Sequence, residues 1–498
     1  MASPDCSALL RQALQLHQQG RLDAAAALYR QVLDGAPRQF DALHLLGVIE
    51  RQQGRPEAAA RLIAQALEVD PHQARAHCNL GAALQDLGRA DAALASYEAA
   101  LKLDPQYALA WDNRGNALRR LAHPQEALDS YERALALKQD YPEAWCHRAI
   151  VLHDLGRDAD AAASAQQALA VRPRYADALL ALGNALQGME HLTDAVAAYD
   201  RSLACVPDQP DAWCARGAAL KKSGDLAGAL ASYDRALALR PAYALVAHYR
   251  ANALRALGHK EEARAAYRHA LDLGADAGEI AFALAALGEG ALPAAAPADY
   301  VKGLFDQYAA HFDRHLVDVL GYRTPALLEA LLRRHGTGAA GDVADLGCGT
   351  GLCAPFLRPL AARLAGIDLS PKMLDKARAT GLYDELACAE IGDWLAGHPA
   401  GFDLLVAADV LVYIGALEKL FARARAALRA GGRFAFSCEA LDGADGYAIG
   451  ASNRYAHALG YVERCAAEAG FTVVEAERAV LRREHGADVA GWLVLLRA

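Results

Sequence analysis

The chain has 498 residues, too many for one hydrophobic core, so at least two domains are expected. A formal charge of −9 leaves no basic footprint and disfavours a nucleic-acid substrate, and no apolar run approaches the ~18 residues of a membrane span. The ten cysteines lack close metal-ligand spacing and the chain opens without a charged-then-apolar leader, so a cytoplasmic protein with reduced thiols, no metal and no membrane segment is expected.

The N-terminal half repeats every 34 residues. Small residues recur at Ala13, Gly47, Gly81, Gly115, Ala149, Gly183, Gly217 and Ala251, and alanine follows each by twelve, from Ala25 to Ala263. Tyrosines come four later at Tyr29, Tyr97, Tyr131, Tyr199, Tyr233 and Tyr267. Glycines such as Gly20 and Gly54 mark the turns, and prolines such as Pro37 and Pro71 close many units. Small residues let two helices cross closely while larger ones fill around them. Unit four departs from the pattern, with Ala122 at the turn and Gln139 for the proline, and unit eight lacks its closing proline. The pattern resembles tetratricopeptide repeats. Eight units fit residues 6–277, and the resemblance implies a superhelix whose concave face takes a protein or peptide partner.

A second period of 68 runs through the first: GNAL at Gly115–Leu118 and Gly183–Leu186, ANAL at Ala251–Leu254, and Cys78, Cys146 and Cys214. If the first helix of each unit lines the groove, as in related arrays, Asn116, Asn184 and Asn252 lie along it, with Arg119 and Arg255 one turn further. Two readings stand. The amides form a ladder that grips an extended peptide, similar to the repeats of O-linked N-acetylglucosamine transferases, or they are duplicated residues that bond their own neighbours. Trp111, Trp145 and Trp213 are expected in the core. Residues 278–299 read as a capping helix over Gly278–Leu287 and a short, semi-stiff Pro/Ala-rich connection, GEGALPAAAPAD.

Further on, Val343–Ser370 reads VADLGCGTGLCAPFLRPLAARLAGIDLS. An apolar strand ends at Asp345, a turn carries Gly347, Gly349 and Gly351, and a helix leads to a second strand ending at Asp368. Glycines let backbone approach a ligand, a helix start offers free N–H groups, and an acid at the next strand tip can accept from ribose hydroxyls. Leu352 stands where a dinucleotide site needs its third glycine, which disfavours a nicotinamide cofactor, and no Lys-Ser/Thr pair makes a P-loop. The acid before the glycines suits a ligand with a cationic end, such as S-adenosylmethionine. Leu404–Ala408 runs into Asp409, the amphipathic Leu417–Leu428 is broken by Gly431-Gly432, and Phe434–Ser437, Phe471–Val474 and Trp492–Leu496 are further strands. This alternation predicts a doubly wound, mostly parallel sheet with its ligand at the strands' carboxyl ends.

Residues 300–498 resemble a class I S-adenosylmethionine-dependent methyltransferase. DLGCGTG matches that family's first motif, GIDLSPKML its ribose-binding strand, ELACAE and FDLLVAADVLVYI its third and fourth strands, and YVKGLFDQYAAHFDRHL its helical cap. The expected architecture is therefore multidomain, an all-α tetratricopeptide superhelix followed by an α/β Rossmann-like methyltransferase domain. The resemblance implies that Asp345, Gly347, Gly349 and Gly351 hold the methionine part of the cofactor and Asp368, followed by Leu369, the ribose. Glu390 with Ile391 frames the adenine, Asp393 being the alternative to Glu390, and Asp409 stands at the fourth strand tip. Around the mouth, Tyr308 and His311 in the cap, Tyr413, Glu439, Tyr455 and His457 are acceptor-side candidates, with Tyr308, Tyr413 and His457 taken as catalytic. The sequence lacks an Asn/Asp-Pro-Pro-Tyr/Phe box after the fourth strand and a Pro-Cys nucleophile. Planar nitrogens and cytosine C5 are thereby disfavoured as acceptors, leaving a protein or a small molecule. The competing reading is a scaffold whose methyltransferase-like domain binds cofactor without transferring methyl.

Overall fold

Interlocking of glycine and tyrosine shapes four of the repeats. In the computed structural model, which describes residues 6–308, 321–336, 341–450, 452–484 and 487–498, the chain divides into two compact units, Met1–Leu257 and Gly258–Ala498. In the first, helices of 13 and 14 residues alternate from Cys6–Gln18 to Ala244–Ala256. A Cβ built on Gly81, Gly115, Gly183 or Gly217 would come within 2.6 Å of the ring of Tyr97, Tyr131, Tyr199 or Tyr233. Those rings are buried in the contact that the missing side chain opens. The three tryptophans are only half-buried: Trp111, Trp145 and Trp213 donate from Nε1 to the carbonyls of Pro105, Gln139 and Pro207. Arg114, Arg148 and Arg216 lie over their rings, so these side chains pack at the edge of the core clusters and tie down the inter-repeat turns.

The second unit opens with the helices Lys260–Asp272 and Ala277–Ala286. Phe282 of the latter packs on Tyr300 and Tyr455, with ring centroids 5.3 and 6.0 Å away. The Pro/Ala segment that follows is pinned down. Tyr455 donates to the Pro293 carbonyl (2.8 Å), Gly415 and Ala416 N–H both donate to Ala294 O, and Ala296 N–H donates to Tyr413 O.

Nine strands form one mixed sheet: β1 (Gly341–Leu346), β2 (Ala361–Asp368), β3 (Glu385–Cys388), β4 (Phe402–Ala407), β5 (Leu428–Ala440), β6 (Tyr447–Ile449), β7 (Tyr455–His457), β8 (Thr472–Glu484) and β9 (Ala487–Arg497). The order is β3-β2-β1-β4-β5-β7-β6, and β9 pairs antiparallel with β5 and β8. Neighbours from β3 to β7 are parallel. β1 and β4 end in runs of four buried residues, the near-continuous apolar pattern of strands covered on both faces. β5 starts at Leu428, directly after the helix Glu418–Ala427. The Gly431-Gly432 pair, read from sequence as the helix breaker, therefore lies inside the strand, where Gly431 takes φ 77° at a register irregularity. Among the described residues no helix is long and apolar enough to cross a membrane.

The turn glycines Gly20, Gly54, Gly88 and Gly156 take φ of 71–74°, and Ala122 adopts the same left-handed conformation at φ 61°. A Cβ there costs ~1–2 kcal/mol, only partly offset by the greater unfolded-state freedom of glycine. Ala122→Gly should raise the unfolding free energy by about 1 kcal/mol in urea denaturation. A lowered midpoint would show that the turn is not strained.

Candidate functional site

The strand order reverses between β1 and β4, and an open cavity lies at the carboxyl ends of these strands. Asp345, at the end of β1, is 1% exposed and accepts a 2.6 Å hydrogen bond from the Tyr383 hydroxyl. Burial, helped by the charge of Asp368 and opposed by the Tyr383 bond, pushes its carboxyl up to about 7. Asp368 accepts from the N–H groups of Gly349 (3.0 Å) and Ser370 (2.8 Å), and burial raises its pKa as well. The glycines here are required by conformation: Gly347 and Gly349 have φ of 66° and 55°, and a Cβ on Gly347 would collide with Val410 after β4.

Leu369, Glu390 and Ile391 continue this wall. Glu390 also caps the helix Ile391–Ala396 by accepting from Asp393 N–H, while the Asp393 carboxylate pairs with Arg423 at 3.0 Å and is not on the wall. Gly351 is off the wall too; it makes room for the Tyr383 ring.

The other end of the cavity is built around Asp409. It has φ 54°, and Ser437 Oγ accepts its N–H (2.9 Å) and donates to its Oδ1 (3.1 Å). Arg482, 2% exposed, donates to Asp409 Oδ2 (2.9 Å) with one arm and to Glu439 with the other. Burial raises the Glu439 pKa against the pull of Arg482. Tyr413 lies on the wall; burial raises its phenol, with Arg454 drawing it back.

His457 does not reach the cavity. Its Nε2–H donates to the carbonyls of Ile414 (2.9 Å) and Gly415 (3.1 Å), and burial lowers its pKa to about 4, so it is a neutral peg behind the Tyr413 loop. Tyr455, on the same face of β7, is likewise buried. Side chains alternate along a strand, so the residue just before β7, Arg454, faces the other way, onto the cavity wall. Tyr308 ends the helix Ala298–Tyr308, its side chain outside the described residues, as is all of His311.

Three residues here were not expected from sequence: Tyr383, Arg454 and Arg482. Arg454 directly precedes the candidates Tyr455 and His457, and strand alternation would have found it; the other two carry no local signal.

In the repeat array, Tyr131 and Tyr199 donate to Asn116 Oδ1 (2.9 Å) and Asn184 Oδ1 (2.8 Å). Arg119 contributes a hydrogen bond at Tyr131, and Arg255 stands near Lys221, whose pKa is lowered chiefly by burial. Asn252 lies on the equivalent helix, Ala244–Ala256. The first two amides thus satisfy buried phenols of their own repeats.

Residues 344–434 match a methyltransferase domain family, and residues 10–62, 44–108, 125–156, 180–244 and 250–275 match tetratricopeptide repeat families. The chain therefore carries tetratricopeptide repeats in residues 10–275 and a methyltransferase domain at 344–434. Methyltransferase-like protein 27 of Homo sapiens is 34% identical over 117 residues, 23% of this chain and 45% of that protein. The trans-aconitate 2-methyltransferase of Paracidovorax citrulli is 40% identical over 104 residues, 20% of this chain and 40% of that protein. The ubiquinone biosynthesis O-methyltransferase of Thiobacillus denitrificans is 34% identical over 106 residues, 20% and 44% of the two chains. The chain thus spans less than half the length of these relatives. Among solved structures, the APC/C hetero-tetramer Cut9-Hcn1 aligns with TM-score 0.43 and 17% identity, covering 53% of this chain and 52% of that one.

Two outcomes follow from the geometry. The raised pKa of Asp345 means that the folded protein holds a proton there which the unfolded chain has lost between about pH 4 and 7. Its contribution to stability is present below that range and lost as pH rises through it. Asp345→Asn should therefore unfold at higher denaturant than wild type at pH 8, with the difference shrinking towards pH 5; equal midpoints at pH 8 would contradict the shift. Separately, Ala296→Pro removes the N–H that bonds Tyr413 O. Hydrogen exchange at the amides of Gly415 and Ala416 should accelerate about tenfold or more as the segment loosens; unchanged protection would mean that the pinning lies elsewhere.

Proposed function

We propose that the second unit is an S-adenosylmethionine-dependent methyltransferase and that the repeat array recruits a protein or peptide partner or substrate. The observation that carries the enzymatic reading is the buried carboxylate of Asp345 and the half-buried one of Asp368, either side of a positive-φ glycine turn at the sheet's switch point. This donor set fits the cofactor: a carboxylate and backbone N–H groups for the amino-acid end, a second carboxylate for the ribose hydroxyls, and Leu369 and Ile391 with Glu390 around the adenine. When bound, S-adenosylmethionine supplies a methyl group already activated on a sulfonium centre.

The remaining work falls to the chain's own residues. Asp345 holds a cationic group best when ionised. Val410, Val412 and Phe305 keep water from the acceptor end. Tyr413, held protonated by burial, orients the acceptor by hydrogen bonding, and His457 fixes the backbone of the loop that carries it. A protein acceptor and a small-molecule acceptor both suit the open cavity; one relative is named for trans-aconitate and another for ubiquinone biosynthesis, which supports the small-molecule class.

Calorimetry with S-adenosylhomocysteine should show binding that strengthens from pH 6 to pH 8 as Asp345 ionises, and Asp368→Ala should abolish it. Full affinity in that variant would sink the assignment. Binding without methyl transfer to any lysate component would favour the scaffold reading. For the array, lysate would be incubated with radiolabelled S-adenosylmethionine and either the full chain or a chain beginning at residue 258, which keeps the helices that pack on Tyr300 and Tyr455. Loss of the labelled protein band in the shorter chain is the expected result, and equal labelling by both would rule the array out as recruiter.

A further inference from the structure

The two arginines of the cavity wall lie together. Asp345, Asp368 and Glu390 stand in one part, and both arginines among the described lining residues, Arg454 and Arg482, stand in the other beside Asp409 and Tyr413. The two arginines do different work. Arg482 is fully desolvated between Asp409 and Glu439, an arrangement that stability alone does not call for, because well-packed apolar residues commonly serve as well or better. Its guanidinium clamps Asp409 in a left-handed backbone and neutralises it at the cavity edge. Arg454 is half-buried and is presented from a turn fixed by two contacts. Gly450 N–H donates to its carbonyl (2.8 Å), and the preceding Asn453, at φ 60° and 4% exposed, reaches the Tyr300 hydroxyl at 3.4 Å.

A guanidinium beside a phenol in an apolar surround matches a planar carboxylate, which it can bind through two parallel N–H bonds. Resting on the S-adenosylmethionine reading of the acidic part, we infer that Arg454 is the anion anchor of an acceptor subsite and that the acceptor carries a carboxylate. The cationic ligand then lies against the acids and the anionic one against Arg454. Tyr413 completes the subsite as a donor to the same group. The carboxylate can come from a free acid or from a peptide side chain, and the two sources present the same chemistry to Arg454.

The test uses the full chain saturated with S-adenosylhomocysteine and follows heat of binding and thermal midpoint. The probes are succinate, tricarballylate, a blocked glutamyl peptide, succinamide and 1,4-diaminobutane. Succinate or tricarballylate binding marks a free acid, and preference for the glutamyl peptide marks a protein carboxylate; either supports the subsite. Arg454→Gln should weaken the bound carboxylate about tenfold or more, Arg454→Lys less so, while both keep S-adenosylhomocysteine affinity within about twofold. Equal carboxylate binding by Arg454→Gln, preference for succinamide or the diamine, or no carboxylate binding at all overturns the inference while leaving the cofactor site intact. Failure of wild type to bind S-adenosylhomocysteine overturns the cofactor reading, and this inference with it.

Discussion

Parallel pairing of β1 with β2 and β4 is the constraint on which the second unit depends. It brings the carboxyl ends of these strands to one edge of the sheet, and the reversal of order at β1 and β4 leaves a crevice there that the following turns cannot close. Asp345, Asp368 and Asp409 are the residues at or just beyond these ends. Their proximity follows from hydrogen-bond register, and the surrounding helices and the pinned Pro/Ala segment are arranged about the gap that results.

Once acids are gathered at such an edge, desolvation governs the electrostatics. Asp345 keeps its position through one phenolic hydrogen bond and takes up a proton near neutrality, whereas Asp409 has a buried guanidinium against it. Two carboxylates at neighbouring strand ends thus have different partners, a phenol for Asp345 and a guanidinium for Asp409.

Much of this was legible in the sequence because it was local or periodic. The 34-residue spacing placed the helices, and the glycine turn with its flanking acids placed one part of the cavity down to Leu369 and Ile391. What escaped notice was set by long-range pairing. Arg482 lies in β8, where EAERAVLRRE mixes charge with apolar residues and hides a thirteen-residue strand, so nothing marked it as a partner of Asp409. His457 looked available as a polar residue near a strand end, yet β7 turns it inward onto two carbonyls. The tryptophans sit at the edge of the core for a related reason: an indole needs a partner for its N–H, and the turn carbonyls supply it.

The glycine–tyrosine contact spans sixteen residues, less than one repeat, so each lock and its key are copied together whenever a repeat is copied. Duplication in blocks of 68 residues therefore transmits a finished packing unit, with no mismatched partner left in the neighbouring block. Arrays of this kind can lengthen or shorten in evolution without first re-optimising their interior. The length of the array is then free to drift, while the methyltransferase domain stays fixed by its own sheet.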